Sequence, residues 1–315
     1  MKISTTTTGI FPKISSSKEV PSLRANLHKA DRGEISQEEL ETIIQKNIER
    51  AVREQIGADI DLPTDGLIRW TDLFSPFVQA WDGITRRGIH RFYNTNTLYG
   101  EPVVEGELQF NSSKTLEDFK FALGVNPNVK ATLPGVFTCA AACVDTFYQD
   151  EKKLCEVIAA NLLEEAKALV IAGAKMIEIH EPELGWNAEL KTQNEEVLEI
   201  YKKFGALDAK IIVVSYFRNF SQETTNVLVE AGCGIGIDFS QPVEIESLPE
   251  GAVLQVGLVD SRETKLEDSA ILAERKAEAL AKYPNSEIIF STSSHVEYLP
   301  HEIALQKIKL LKNLK

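Results

Sequence analysis

The stretch IEIHEPELGWN, residues 177–187, places an imidazole and two carboxylates where an apolar strand runs out. His180, Glu181 and Glu183 are residue types for proton transfer or metal ligation, and they serve equally well in a hydrogen-bonded rim. Polar residues follow other β-branched runs in the same way. Lys13 follows the first such run, Asp65 and Arg69 the second, Tyr216 and Arg218 the fifth, Asp238 the sixth, Asp260 and Arg262 the seventh, and Ser293 and His295 the eighth. His180, Asp238, Asp260 and His295 are of a kind that holds a divalent metal for hydrolase or lyase chemistry. Charged residues at strand ends also pair with one another, and no H-E-x-x-H spacing separates these readings. Cys139 and Cys143, four apart, could share a helical face; with no further ligands nearby they read, like Cys155 and Cys233, as small buried thiols.

These residues need a scaffold, and the alternation of strands with helices supplies one. Strands are expected at 3–8, 58–62, 129–133, 176–180, 210–215, 234–239, 252–259 and 286–291, with helices at 36–55, 154–173, 195–205, 272–283 and 301–315. The first helix opens with Ser36 and Glu39 in the spacing of a capping box. Strand–helix alternation means a parallel sheet, and eight strands in 315 residues predict one (β/α)8 TIM barrel, with residues 1–315 as a single domain. Residues 82–111 alternate apolar and polar side chains around glycines and read as a β-hairpin inserted after the second strand. No G-x-G-x-x-G turn follows a strand, so a dinucleotide fold loses its main support. In such a barrel the strand-end residues converge on one mouth.

Composition narrows the partners. A formal charge of −13, with 43% hydrophobic and 26% charged residues, argues against nucleic acid or an anionic membrane and leaves small molecules or another protein. The opening MKISTTTTGIFPKI lacks the apolar core of a signal peptide, and no window reads as a membrane span. Four cysteines without a disulfide spacing fit a reducing compartment, so a soluble, cytoplasmic protein is expected.

Several stretches resemble the cobalamin-independent methionine synthases, whose long members are two fused barrels with zinc in the C-terminal one. TTTTGIFPKI (5–14) is similar to the family's opening strand and loop, GEISQEEL (33–40) to its first helix start, IEIHEPEL (177–184) to a strand ending in Asp-Glu-Pro, and STSSHVEYLPHEIALQKIKLL (291–311) to its last strand and helix. VVSYFRNF (213–220), GIGIDF (234–239) and VGLVDSRETKLED (256–268) most resemble the N-terminal, zinc-free barrel.

The resemblance implies that the zinc ligands of the catalytic barrel, a His-x-Cys pair, a glutamate and a late cysteine, correspond here to Ser215 and Phe217, Asp238, and Ser294 or its neighbour. Serine hydroxyls are poor zinc ligands beside soft thiolates. It also puts Gly66 and His180 at places of carboxylates for the homocysteine amino group. Arg24 falls where N-terminal barrels carry a lysine for the donor's polyglutamate tail, so Lys13 and Arg24 are expected to face one acidic ligand.

The expectation is therefore a stand-alone barrel in methyl transfer to homocysteine, inactive alone and with no cofactor of its own. Zinc would sit on a partner catalytic barrel, and the donor would be a pterin or another methyl carrier. An independent barrel enzyme with a non-thiolate metal site, and a non-catalytic binding or scaffold protein, remain the alternatives.

Overall fold

The computed structural model describes residues 3–16, 20–187 and 194–315. Its centre is a curled parallel sheet of seven strands: β1 (Ile3–Thr5), β4 (Ala131–Pro134), β6 (Met176–His180), β7 (Lys210–Val214), β8 (Gly234–Asp238), β9 (Val253–Val259) and β10 (Glu287–Thr292). They run in the order β1-β10-β9-β8-β7-β6-β4. Apart from β1, whose Ile3 and Ser4 are half-buried, the strands are buried along nearly their whole length, as a sheet wrapped in helices requires. Together they form a TIM-barrel-like α/β fold.

The run at 58–62 does not become a strand. Only an isolated parallel bridge, Thr6 with Leu62, forms there. Asp59 turns into the left-handed region at φ 64°, and the Asp61 carboxylate takes the Thr5 N–H at 2.9 Å, the donor a ladder would use. Pro63 has no N–H to offer. The segment still bridges the sheet's two edges: Leu62 N–H donates to Thr5 O at 3.0 Å, and Lys130 N–H donates to Pro63 O at 2.9 Å.

Long helices cover the sheet. In α2 (Gln37–Gly57), Ile44, Ile48, Ala51, Val52 and Gln55 form the buried stripe. Its capping box is complete: Ser36 Oγ accepts from Glu39 N–H at 3.1 Å, and Ser36 N–H donates to Glu39 at 2.8 Å. Further helices are α1 (Leu23–Asp31), α4 (Lys114–Val125), α6 (Glu151–Ile171), α8 (Asn194–Gly205), α9 (Gln222–Glu230), α10 (Ser269–Lys282) and α11 (His301–Leu310). Three short ones are α3 (Ser75–Ala80), α5 (Val136–Ala142) and α7 (Glu183–Trp186), the last two directly after β4 and β6. Among the described residues no helix is long and apolar enough to cross a membrane.

Before β4 the chain leaves the central sheet. There β2 (Asp82–Arg91) and β3 (Leu98–Gln109) pair antiparallel, from Asp82 with Gln109 to Arg91 with Leu98. The two-residue β5 (Val144–Asp145) adds to β3 in parallel and completes a separate three-stranded sheet. The turn of this sheet carries Phe92 and Tyr93 to the mouth, where both meet Phe217.

Candidate active site

Strand parity decides which polar residues face inward. In β6, Ile177 and Ile179 pack into the apolar core, while Glu178 and His180 join the polar side chains of the neighbouring strands. Glu178 is ion-paired with Lys130 beside β4, both fully buried. It also accepts from Gln255 Nε2 at 2.7 Å and from His180 Nε2 at 2.8 Å. Burial alone would push the Glu178 carboxyl up, but Lys130 and His180 outweigh it and hold the group below the usual carboxylate range. Gln255 donates in addition to Thr8 Oγ1 at 3.0 Å.

Above this floor lies a ring of aromatic contacts. With Nε2 bonded to Glu178, the Nδ1 of His180 faces the Tyr216 hydroxyl at 3.4 Å. The His180 and His295 rings meet edge to face with centroids 5.3 Å apart, and Tyr216 meets His295 at 5.1 Å. His295 stacks on Tyr298 at 5.5 Å, and its Nε2 is buried without a hydrogen-bond partner. Burial, with His180 adding to it, holds the His295 pKa well below the ordinary imidazole value, so this ring is neutral at pH 7. Gly9, at φ 67°, makes room for it: a Cβ there would come within 2.6 Å of the imidazole. Phe217, itself at φ 71°, closes the ring over Tyr216 at 4.9 Å. A cavity of about 580 Å³ opens beyond, bounded by the hairpin turn at Asn94–Thr97 and by Arg262, Glu297 and Tyr298.

The other sequence-derived candidates divide among separate places. Glu181 has the outward parity and turns from the mouth to the start of α5. There its carboxylate accepts from Phe137 N–H at 3.0 Å, Thr138 N–H at 2.6 Å, the Thr138 hydroxyl and Tyr201 OH at 2.6 Å. Burial nonetheless raises its pKa to about 7. Glu183 accepts from Tyr93 OH at 2.8 Å, and Arg218 lies over the Trp186 ring, 4.4 Å from its centroid.

Asp238, Asp260 and Arg262 form a cluster in which Arg262 is 3.7 Å from Asp238 and 3.4 Å from Asp260. Asp238 also takes Ser240 Oγ at 2.5 Å, and burial raises its pKa. Asp65 accepts from Leu67 N–H at 2.9 Å and is pushed to about 7, first by burial and then by Asp118. Arg69 is taken up by Asp118 at 2.8 Å and Glu41 at 2.5 Å, joining α4 to α2. Lys13 and Arg24 line one cleft of about 670 Å³, where Lys13 pairs with Glu297 at 3.3 Å. The proposed metal quartet is thus split: His180 and His295 touch, while Asp238 and Asp260 are held around Arg262. Among the described residues no group of three or more His, Cys, Asp or Glu side chains is placed to hold a metal ion.

Sequence reasoning passed over Lys130, Glu178 and Gln255. The signal was present, since a charge at an inward position of an otherwise apolar strand demands a partner across the barrel.

A family profile described as "Cobalamin-independent synthase, Catalytic domain" matches residues 3–212, well over half of the chain. The chain belongs to this family. The methionine synthase of Saccharolobus solfataricus is 26% identical over 317 residues, spanning 96% of this chain and 91% of that protein. The methionine synthase of Sulfolobus acidocaldarius is 24% identical, spanning 96% and 88%. A B12-independent methionine synthase from Shewanella sp. W3-18-1, solved with selenomethionine, superposes with a TM-score of 0.77 at 20% identity, covering 99% of this chain and 96% of that one. A putative vitamin-B12 independent methionine synthase from Listeria monocytogenes gives 0.75 at 18%, covering 100% and 98%. These structures establish likeness of fold.

For a cobalamin-independent synthase, the places that the resemblance gives to zinc ligands are poorly furnished. They all lie beyond residue 212, where the profile match ends. Ser215 Oγ donates to Arg218 O, Phe217 offers only hydrocarbon, and Ser294 Oγ lies 2.8 Å from Ser261 Oγ. Asp238 faces Arg262. Cys143, Cys155 and Cys233 are pushed by burial to about 12, and Cys139 well above the ordinary thiol value, so none offers a ready thiolate. These residues do not fit a thiolate-held zinc ion.

Proposed function

We propose that this chain is a methionine-synthase-type barrel that takes part in methyl transfer to homocysteine together with a separate zinc-bearing catalytic barrel. The observation that carries the reading is the combination of family membership with serine and phenylalanine at the ligand places. Relatives named methionine synthase align along nearly the whole chain, which supports the reaction class. A thiol needs a metal or base to become the thiolate nucleophile near neutral pH, and the donor set here is unsuited to the metal.

In this reading the fold is a (β/α)8 barrel, with the segment at 58–62 standing for the second strand and the hairpin as its insertion. Its working compartment is the cytoplasm. The mouth binds and positions rather than activates: Glu178 fixes the His180 ring, and Tyr216 and His295 pack against it. The cavity beside Arg262 and Tyr298 takes a pterin or other methyl donor. Lys13 and Arg24 meet the donor's acidic tail in the neighbouring cleft, where a carboxylate would replace Glu297 on Lys13. Metal analysis of the purified chain after dialysis against excess zinc tests the reading. Less than a tenth of an equivalent, about the background level, is expected, and one tightly held zinc per chain would overturn it.

A further inference from the structure

A smaller cavity of about 280 Å³ lies between the hairpin, α5 and α7. Phe92, Tyr93, Tyr99 and Trp186 wall it, with Phe74 behind them. The rings meet edge to face, Phe92 with Tyr93 at 4.8 Å, Tyr93 with Trp186 at 5.4 Å and Phe74 with Tyr99 at 5.2 Å. Glu183 lines the same space and accepts from the Tyr93 hydroxyl. Arg91, exposed, is the cation of the lining.

A box of aromatic rings beside a carboxylate is suited to a weakly hydrated cation, because the negative faces of the rings attract charge that cannot donate strong hydrogen bonds. Trp186 already performs this for Arg218, whose guanidinium sits over the ring. A primary ammonium is poorly served here. It needs several acceptors, and the Thr138 hydroxyl in the lining is donated to Glu181. The backbone supports a built feature as well: Tyr93 holds a left-handed φ of 49°, costly for an aromatic residue, and that conformation brings its ring to Trp186 and its hydroxyl to Glu183. The volume, about 280 Å³, is on the scale of a small ligand.

We propose that this cavity binds a small zwitterion carrying a methylated onium group, a quaternary ammonium or a tertiary sulfonium, together with a carboxylate. The onium group sits among the rings beside Glu183, and the carboxylate meets Arg91. The inference does not depend on the methyl-transfer reading, since binding is its whole content and methionine formation is not its test.

Isothermal titration of the full chain with glycine betaine and with dimethylsulfoniopropionate checks it, using 3,3-dimethylbutanoate as a neutral isostere of the trimethylammonium group. At least one onium is expected to bind about tenfold or more tighter than the isostere, and the relative affinity of the two tells ammonium from sulfonium. Glu183→Gln and Trp186→Leu, each checked for folding by circular dichroism, should weaken binding about tenfold. Arg91→Gln should weaken both zwitterions and leave tetramethylammonium binding unchanged. Equal binding of the isostere, wild-type affinity in folded Glu183→Gln, or no binding of either onium up to about 10 mM would overturn the assignment.

Discussion

Replacing Lys130 by methionine removes one charge of a fully buried ion pair while keeping most of the side-chain volume. Breaking such a pair from one side costs about 3–5 kcal/mol, because the remaining charge stays buried without compensation. Glu178 keeps two donors, His180 Nε2 at 2.8 Å and Gln255 Nε2 at 2.7 Å, which puts the expected loss at the lower end, about 3 kcal/mol at pH 7. The pH dependence is a second readout. The folded-state pKa of Glu178 is depressed, so its stabilisation is fully present above the unfolded value of about 4.3 and is lost as pH falls through the folded one. Without Lys130 that depression shrinks, so the gap between Lys130→Met and the parent should narrow below about pH 4.5. Urea unfolding followed by tryptophan fluorescence measures both effects. The double variant Lys130→Met with Glu178→Gln should be more stable than Lys130→Met alone. A Lys130→Met protein within about 1 kcal/mol of the parent at pH 7, with no narrowing in acid, would refute the pairing argument.

Three further outcomes follow from the site. Glu181 has a folded pKa of about 7 against an unfolded value of about 4.3, so its carboxyl favours folding as pH falls from 7 toward 4; Glu181→Gln should remove about 3 kcal/mol of that pH dependence in unfolding titrations, and an unchanged profile would count against the assignment. Gly9→Ala should cost about 2 kcal/mol in urea unfolding, since it adds a Cβ at φ 67° within 2.6 Å of the His295 ring; a neutral result would show that the ring moves freely. Lys13→Ala with Arg24→Ala should weaken binding of a polyglutamylated pterin about tenfold or more, and unchanged affinity would remove the anion site from the cleft.

Much of the central sheet was legible because several of its strands, KIIVV of β7 among them, are short apolar runs rich in β-branched residues. The run 176–180 is β6 to the residue, and the runs ending at 215, 239 and 259 lie within one residue of β7, β8 and β9. The run at 58–62 failed where a side chain replaced the ladder, since an Asp61 carboxylate on Thr5 N–H leaves no trace in a hydrophobic pattern. α5 is missing from the expected helices for the opposite reason, although the spacing of Cys139 and Cys143 allows a helical face there. Val136–Ala142 is buried from Val136 to Ala140 and so shows little amphipathic period.

At the mouth, the convergence of His180, Tyr216 and His295 was readable from their strand-end positions. The separation of Glu181 from His180 was readable too, from alternation along β6, yet it needs the parity argument rather than proximity in sequence. The fates of Arg69 and Asp118 depend on the packing of α2 against α4, a long-range contact that no local spacing encodes.

The central claim, that this barrel lacks its own means of activating a thiol and works beside a zinc-bearing one, is tested most directly by methionine formation from homocysteine and a methyl-pterin. The purified chain, and its His180→Asp variant, should form no methionine above background, and activity should appear when a zinc-bearing catalytic barrel is added and exceed that of the added barrel alone. Steady methionine formation by the chain alone, from any methyl donor, would contradict the account.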